Sequence, residues 1–205
     1  MLYITAVYLL FSGYLSTDAY VSAPDSVRTT YVWHTEGIPL YPSPSQLTHP
    51  VGQLTYGEEV TITGIAGGEA AGAKIYAHAQ IDEMPDGYVK EYVLPAHWVK
   101  VEHEGTTRYV PDTYLSGFRA PVHTGDGTFI LQDYLQWLSA VTAEAHEGQT
   151  GAFCSRSILH FENGITYTFT DFGPCEQCGH GQQQLYLPTA TKTEALMMAL
   201  HFFEC

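Results

Sequence analysis

From about Thr30 to Phe118 the chain is a series of short β-prone runs: VWHTEGIPLY, VGQLTYGEEVTITG, AKIYAHAQI, GYVKEYVLP, HWVKVEH and TRYVP. Gly- and Pro-bearing turn signals, EGIP, PSPS, YGEE, MPDG and HEGTT, part them. In EEVTITG, Val60 and Ile62 alternate with Thr61 and Thr63, the period of a strand with one buried face. Short strands at this spacing predict a small all-β barrel rather than alternating β and α units.

The period changes after APVHTGDG, a linker by composition. In TFILQDYLQWLSAVTAEAHEG, Phe129 or Ile130, Tyr134, Trp137 or Leu138 and Val141 recur at helical steps, which predicts an amphipathic helix of about four turns, ended by Gly148. Its aromatic stripe reads as core. SRSILHFENGITYTFTDF then carries a hairpin signature, with Asn163-Gly164 asking for a type I′ turn. QQQLYLP can add a third strand. TATKTEALMMALHFFE starts a last helix, with Thr191 and Glu194 in capping-box spacing and Leu196, Leu200 and Phe203 on one face. The expectation is a mainly β protein: a small barrel over residues 30–118, followed over 126–205 by a small α+β domain of helix, three-stranded antiparallel sheet and helix.

Charge narrows the partners. With 22 acidic and 8 basic residues the net charge is −14, and no segment clusters Lys or Arg. This argues against nucleic acid, whose phosphates need a basic footprint, as a partner, and against docking on anionic lipid. A soluble acidic surface, or one suited to a basic protein, remains.

The apolar run from Leu2 to Tyr14 is too short to span a membrane and has the length of a signal-peptide core, although the first basic residue is Arg28. Residues 1–23 are therefore expected to be a signal peptide, with a small-x-small cleavage site formed by Thr17 and Ala19 and a neater one at Val21-Ser22-Ala23 that the following Pro24 should hinder, leaving no stable membrane span in the mature chain. The competing expectation makes Tyr3 to Leu10 an ordinary buried strand or helix. All four cysteines, Cys154, Cys175, Cys178 and Cys205, lie in the last quarter of the chain. In an exported protein this even count points to disulfides, with three possible pairings.

Several stretches of the first block resemble the bacterial SH3-like (SH3b) domain family. VGQLTYGEEVTITG, Val51 to Gly64, looks like the family's strand that leads through a diverging turn, here Tyr56-Gly57-Glu58, into the next strand. LYPSPS, Leu40 to Ser45, sits where these domains have an apolar residue and a Ser/Pro-rich loop. HWVKVEHEGTTRYVPDTYLS follows the family's order of aromatic strand, Gly turn, aromatic-Val strand, short turn and closing Tyr-Leu. Residues 65–96 depart from it as an insert able to form its own hairpin around DEMPDG. YVPDTYL also resembles the Pro-x-x-Tyr turn of eukaryotic SH3 domains, which places Pro and Tyr in an aromatic groove for Pro-rich peptides. The resemblance implies a periplasmic or secreted bacterial module that recognises a cell-wall peptide or a protein partner through Tyr41, His97, Trp98, Pro111 and Tyr114. His97 stands where a groove Trp is expected and Trp98 in a core-leaning position, so Tyr109 and Tyr114 can equally serve to pack the barrel shut. An immunity or inhibitor protein that captures a basic cell-wall-degrading toxin is the alternative, with the insert as its plug.

Candidate chemistry is sparse. GPCEQCGHG sets Cys175 and Cys178 at CxxC spacing with His180 nearby, which could be half a zinc site, but the remaining ligands would have to come from Cys154, Cys205, His160 or His201 without a second paired motif. Redox chemistry wants the first Cys at a helix start, and Gly and Pro flank this pair. In FCSRSILHF, Cys154 loosely fits the nucleophile of a thiol-dependent cell-wall hydrolase with His180 or His201 as base, yet little chain follows it and Asn163-Gly164 makes that chain a hairpin. Glu58-Glu59 and Asp82-Glu83 fall in predicted turns, and GIAGGEAAG has no helix behind it to bind phosphate. No cofactor and no catalytic activity are expected.

Overall fold

A computed structural model describes residues 4–7, 27–79, 88–121, 131–150, 153–172 and 180–202. The protein is mainly β, with several antiparallel sheets and few helices. Two compact units divide it: residues 18–125 with 191–205, and residues 1–17 with 126–190.

In the first unit, β2 (Arg28–Val32), β5 (Glu59–Ala79), β6 (Tyr88–His103), β7 (Thr106–Pro111) and β8 (Leu115–Ser116) form a sheet in the order β7-β6-β5-β2-β8. A small hairpin, β3 (Ile38–Leu40) with β4 (Gly52–Leu54), joins it through paired backbone bonds between Tyr41 and Tyr109. The period-two pattern read in EEVTITG decides the core. Val60 and Ile62 are buried, with Val32, Ile38, Leu40, Leu54, Val99, Val101, Val110 and Leu115. Each such side chain contributes about 1.5–3 kcal/mol when fully buried. Between β6 and β7, Glu104 and Gly105 both have positive φ, 51° and 71°, the two-residue type I′ turn that suits the strands' twist.

Residues 65–79 and 88–96 prolong β5 and β6 themselves: the two strands stay paired from Thr61 opposite Glu102 to Ala79 opposite Tyr88. Register irregularities fall between Ile62 and Ala73, the Gly/Ala-rich stretch. The tip, DEMPDG, lies outside the described residues.

In the second unit the sheet order is β1-β12-β11-β10-β9, from β1 (Ile4–Val7), β9 (Val141–Glu147), β10 (Ser155–Phe161), β11 (Thr166–Asp171) and β12 (His180–Tyr186). Five strands replace the expected three. The helical periodicity after the linker fails in its second half: α1 (Leu131–Leu138) buries Leu131, Tyr134 and Leu135 and stops, and Val141 to Glu147 is a strand on β10. β-Branched Val141 and Thr142 start this strand, and the Thr142 hydroxyl donates to the His160 carbonyl at 3.1 Å. Gly148 thus follows a strand instead of ending a helix. Trp137 of the expected stripe is 43% exposed rather than core.

Ile4–Val7, inside the run read as a signal-peptide core, pairs parallel to β12. The Asn163-Gly164 hairpin forms where expected, with a different turn. Phe161 N–H donates to Ile165 O and Gly164 N–H to Phe161 O, both at 2.9 Å, while Gly164 alone has positive φ, 82°. This is the three-residue loop with a bulge at glycine. Asn163 instead accepts the Ile165 N–H on its side-chain oxygen at 3.2 Å.

The last helix, α2 (Lys192–Phe202), belongs with the first unit, which corrects its assignment to the C-terminal domain. Thr191 and Glu194 close the capping box reciprocally, at 2.8 and 3.2 Å. The other Glu194 oxygen accepts from the Gly117 N–H at 2.7 Å and the Ser116 hydroxyl at 3.1 Å, so one carboxylate both starts the helix and ties it down. Further along, the His201 ring stacks near Tyr56 and meets Trp33 edge-on. Side chains of Leu196, Leu200 and Phe203 lie outside the described ones.

Candidate functional site

The aromatic corner of the first unit grows from three local features. The double backbone bond between Tyr41 and Tyr109, 2.9 and 3.0 Å, anchors the loop after β3 against β7. Antiparallel register then sets Trp98 of β6 opposite Pro111, the last residue of β7. The Tyr41 ring meets Trp98 edge-on, centroids 5.3 Å apart and planes at 84°, the arrangement that the ring quadrupoles favour. Ala66, Ala70, Ala96 and Tyr109 complete this cluster.

Asp112, first residue of a 3₁₀ turn spanning Asp112–Tyr114, fixes the corner's edge. One of its oxygens accepts the His97 backbone N–H at 2.7 Å, and the other lies 3.6 Å from His97 Nδ1. The carboxylate is buried, whereas the imidazole is 44% exposed. A hidden acid therefore orients an imidazole that faces solvent.

Of the five residues taken from the resemblance, the structure brings together Tyr41, His97, Trp98 and Pro111. Trp98 is only 3% exposed and forms the floor, leaving Tyr41, His97 and Pro111 as accessible groups. Tyr114 faces elsewhere: its ring packs on the aliphatic core and meets His34 edge-on at 4.3 Å, and its carbonyl accepts the Trp33 N–H. Burial pushes its phenol pKa above the usual value. Nearby, the buried Nδ1 of His34 and hydroxyl of Thr113 lack a hydrogen-bond partner among the described residues. Asp112 escaped the sequence reading, although its place after Pro111 at the head of a tight turn was a signal for an acceptor of backbone N–H groups.

Cys154 is disulfide-bonded, so its sulfur is not the thiolate that a nucleophile requires. Cys175, Cys178 and Cys205 lie outside the described residues; His180 opens β12. Among the described residues no three His, Cys, Asp or Glu side chains gather as metal ligands.

The second unit carries one relay of catalytic appearance. His146 Nδ1 lies 3.0 Å from the Ser157 hydroxyl, and His146 Nε2 lies 2.9 Å from Glu144. It sits on the outer strand β9 and its neighbour, its imidazole and carboxylate 66% and 52% exposed. Strand β10 is paired on both edges, by β9 and β11, which commits the backbone N–H groups that an oxyanion would need. The geometry is that of a surface hydrogen-bond chain.

Compared with models of protein families, with curated proteins and with solved structures, the chain matches none.

Proposed function

We propose that the protein is a non-catalytic binding protein of the bacterial envelope, and that its first unit is an SH3b-like module recognising a cell-wall peptide or a protein partner. The observation that carries the reading is the corner of Tyr41, His97 and Pro111 over the buried Trp98. Flat rings and a proline held by backbone bonds offer a preformed apolar surface, and the oriented imidazole offers a polar contact beside it. The succession along the chain of β6, a two-residue turn at Glu104-Gly105, β7 and a 3₁₀ turn before β8 supports the reading. Tyr114 acts as a closure residue here, not a contact.

The charge supports a second reading, a protein that captures a basic cell-wall-degrading toxin. A chain with 22 acids against 8 bases would speed encounter with such a partner, and the prolonged β5–β6 hairpin would supply reach.

Titration of the full chain with soluble peptidoglycan fragments, followed by nuclear magnetic resonance, tests the first reading. Shifts at Tyr41 and His97, and affinity about tenfold weaker in Tyr41→Ala, are expected. No shift with fragments and tight binding to one basic hydrolase would replace it with the second reading. Export is tested separately by the intact mass of secreted protein, since cleavage near Ala19 or Ala23 would also remove β1 from its pairing with β12.

A further inference from the structure

Among the described residues strand β9 closes the sheet of the second unit as its outer strand, bonded to β10 on one side only. All seven of its residues, VTAEAHE, are exposed. Natural sheets blunt such an edge with Pro, with charged side chains, Lys above all, or with a bulge. β9 has no Pro or Lys, its carboxylates Glu144 and Glu147 are met by His146 and Arg156, and its irregularity falls only at the His160/Phe161 end of the ladder. The strand therefore presents a row of backbone donors and acceptors ready for another strand.

The side chains say which strand fits. Glu144 and His146 share one face, as their 2.9 Å contact requires, with Ala145 between them on the other. We propose that β9 is a self-association edge, pairing antiparallel with β9 of a second copy about a two-fold axis at Ala145. In that register each copy's Glu144 stands opposite the other's His146, giving two carboxylate–imidazole pairs. On the opposite face alanine meets alanine at the axis, so nothing bulky holds the strands apart. Glu147 would stand opposite Ala143, and its charge is already met by Arg156 at 3.3 Å. Shifting the axis to Glu144 would oppose two carboxylates, and shifting it to His146 would oppose two imidazoles. Only the Ala145 register is complementary in both pairs.

A seven-residue ladder is a small interface, and two copies each carrying −14 repel one another. The dimer is accordingly weak and concentration-dependent. Its edge belongs to the second unit and the aromatic corner to the first.

Sedimentation equilibrium of the full chain, from about 1 μM to about 500 μM, tests the proposal. A monomer–dimer equilibrium is expected. His146→Glu, which opposes carboxylates in both pairs, should weaken it about tenfold or more. The swap Glu144→His with His146→Glu restores complementarity and should return affinity to within about threefold of the original. Circular dichroism checks that these exposed substitutions leave the fold intact. A chain that stays monomeric throughout overturns the proposal, even if the edge accepts a foreign peptide strand. So does a dimer indifferent to His146→Glu, or a double variant as weak as the single one.

Discussion

The two five-stranded sheets meet their surroundings differently. In the first unit β5 passes Val60 and Ile62 into a core of ten aliphatic residues, and its inner part is flanked by β2 and β6. In the second unit β9 is flanked, among the described residues, on one side and is exposed along its whole length. The first strand is held by what its side chains bury, the second by the backbone ladder to β10. An alternating pattern announces burial, and a strand that buries nothing gives no such signal.

Substitutions should separate the two cases most strongly at the core. Leu54→Ala or Val101→Ala removes a side chain that is at most 1% exposed and should destabilise the first unit by about 2–4 kcal/mol. Thr142→Ser or Ala143→Ser in β9 should stay within about 0.5 kcal/mol. Chemical denaturation of each variant checks the contrast. Comparable losses at both places would mean that β9 is covered in solution.

The same contrast explains what could be read in advance. Val60 and Ile62, the Thr191–Glu194 cap and the position of the Asn163-Gly164 hairpin were legible because each depends on neighbours within a few residues. AVTAEAHE was not: its Ala and Glu residues are good helix formers, and its strand state rests on pairing with β10, a separate segment of the chain. Nor was the allegiance of α2, decided by a carboxylate reaching residues 77 and 78 positions away. At the corner, the aromatic residues were visible in the sequence while Asp112, which orients His97, was not, because a buried acceptor is recognised only from the N–H group it serves.

Glu194→Ala should cost the first unit about 1–2 kcal/mol, since it removes both the cap and the bonds to Ser116 and Gly117. Glu194→Gln should recover part of the loss, because an amide oxygen still accepts. The two hairpins give a finer comparison. Gly105 and Gly164 both hold positive φ, 71° and 82°, so alanine at either costs about 1–2 kcal/mol. A Cβ at Gly105 would meet nothing within 4 Å, whereas at Gly164 it would lie 3.2 Å from Pro188 Cγ. Gly164→Ala is therefore the more damaging of the pair, measured as the difference in unfolding midpoint.

The smallest effect appears only in alkali, where each unit holds, among the described residues, one strongly perturbed phenol. Desolvation by burial pushes Tyr56 and Tyr167 up to about 12. Both donate hydrogen bonds in the neutral form, Tyr56 to the Pro121 carbonyl at 2.8 Å and Tyr167 to the Gln183 side-chain oxygen at 2.9 Å. A phenolate can donate neither. Because the folded value lies above the ordinary value of about 10, the unfolded chain loses these protons first as pH rises. The associated stability is complete below about pH 10 and drains away between about 10 and 12. Tyr56→Phe and Tyr167→Phe should each flatten that decline for the unit that carries the residue. Thermal unfolding across this range, alongside phenolate absorbance, reads both. If either phenol titrates with the exposed tyrosines while its unit stays folded, the packing assigned to that residue is wrong.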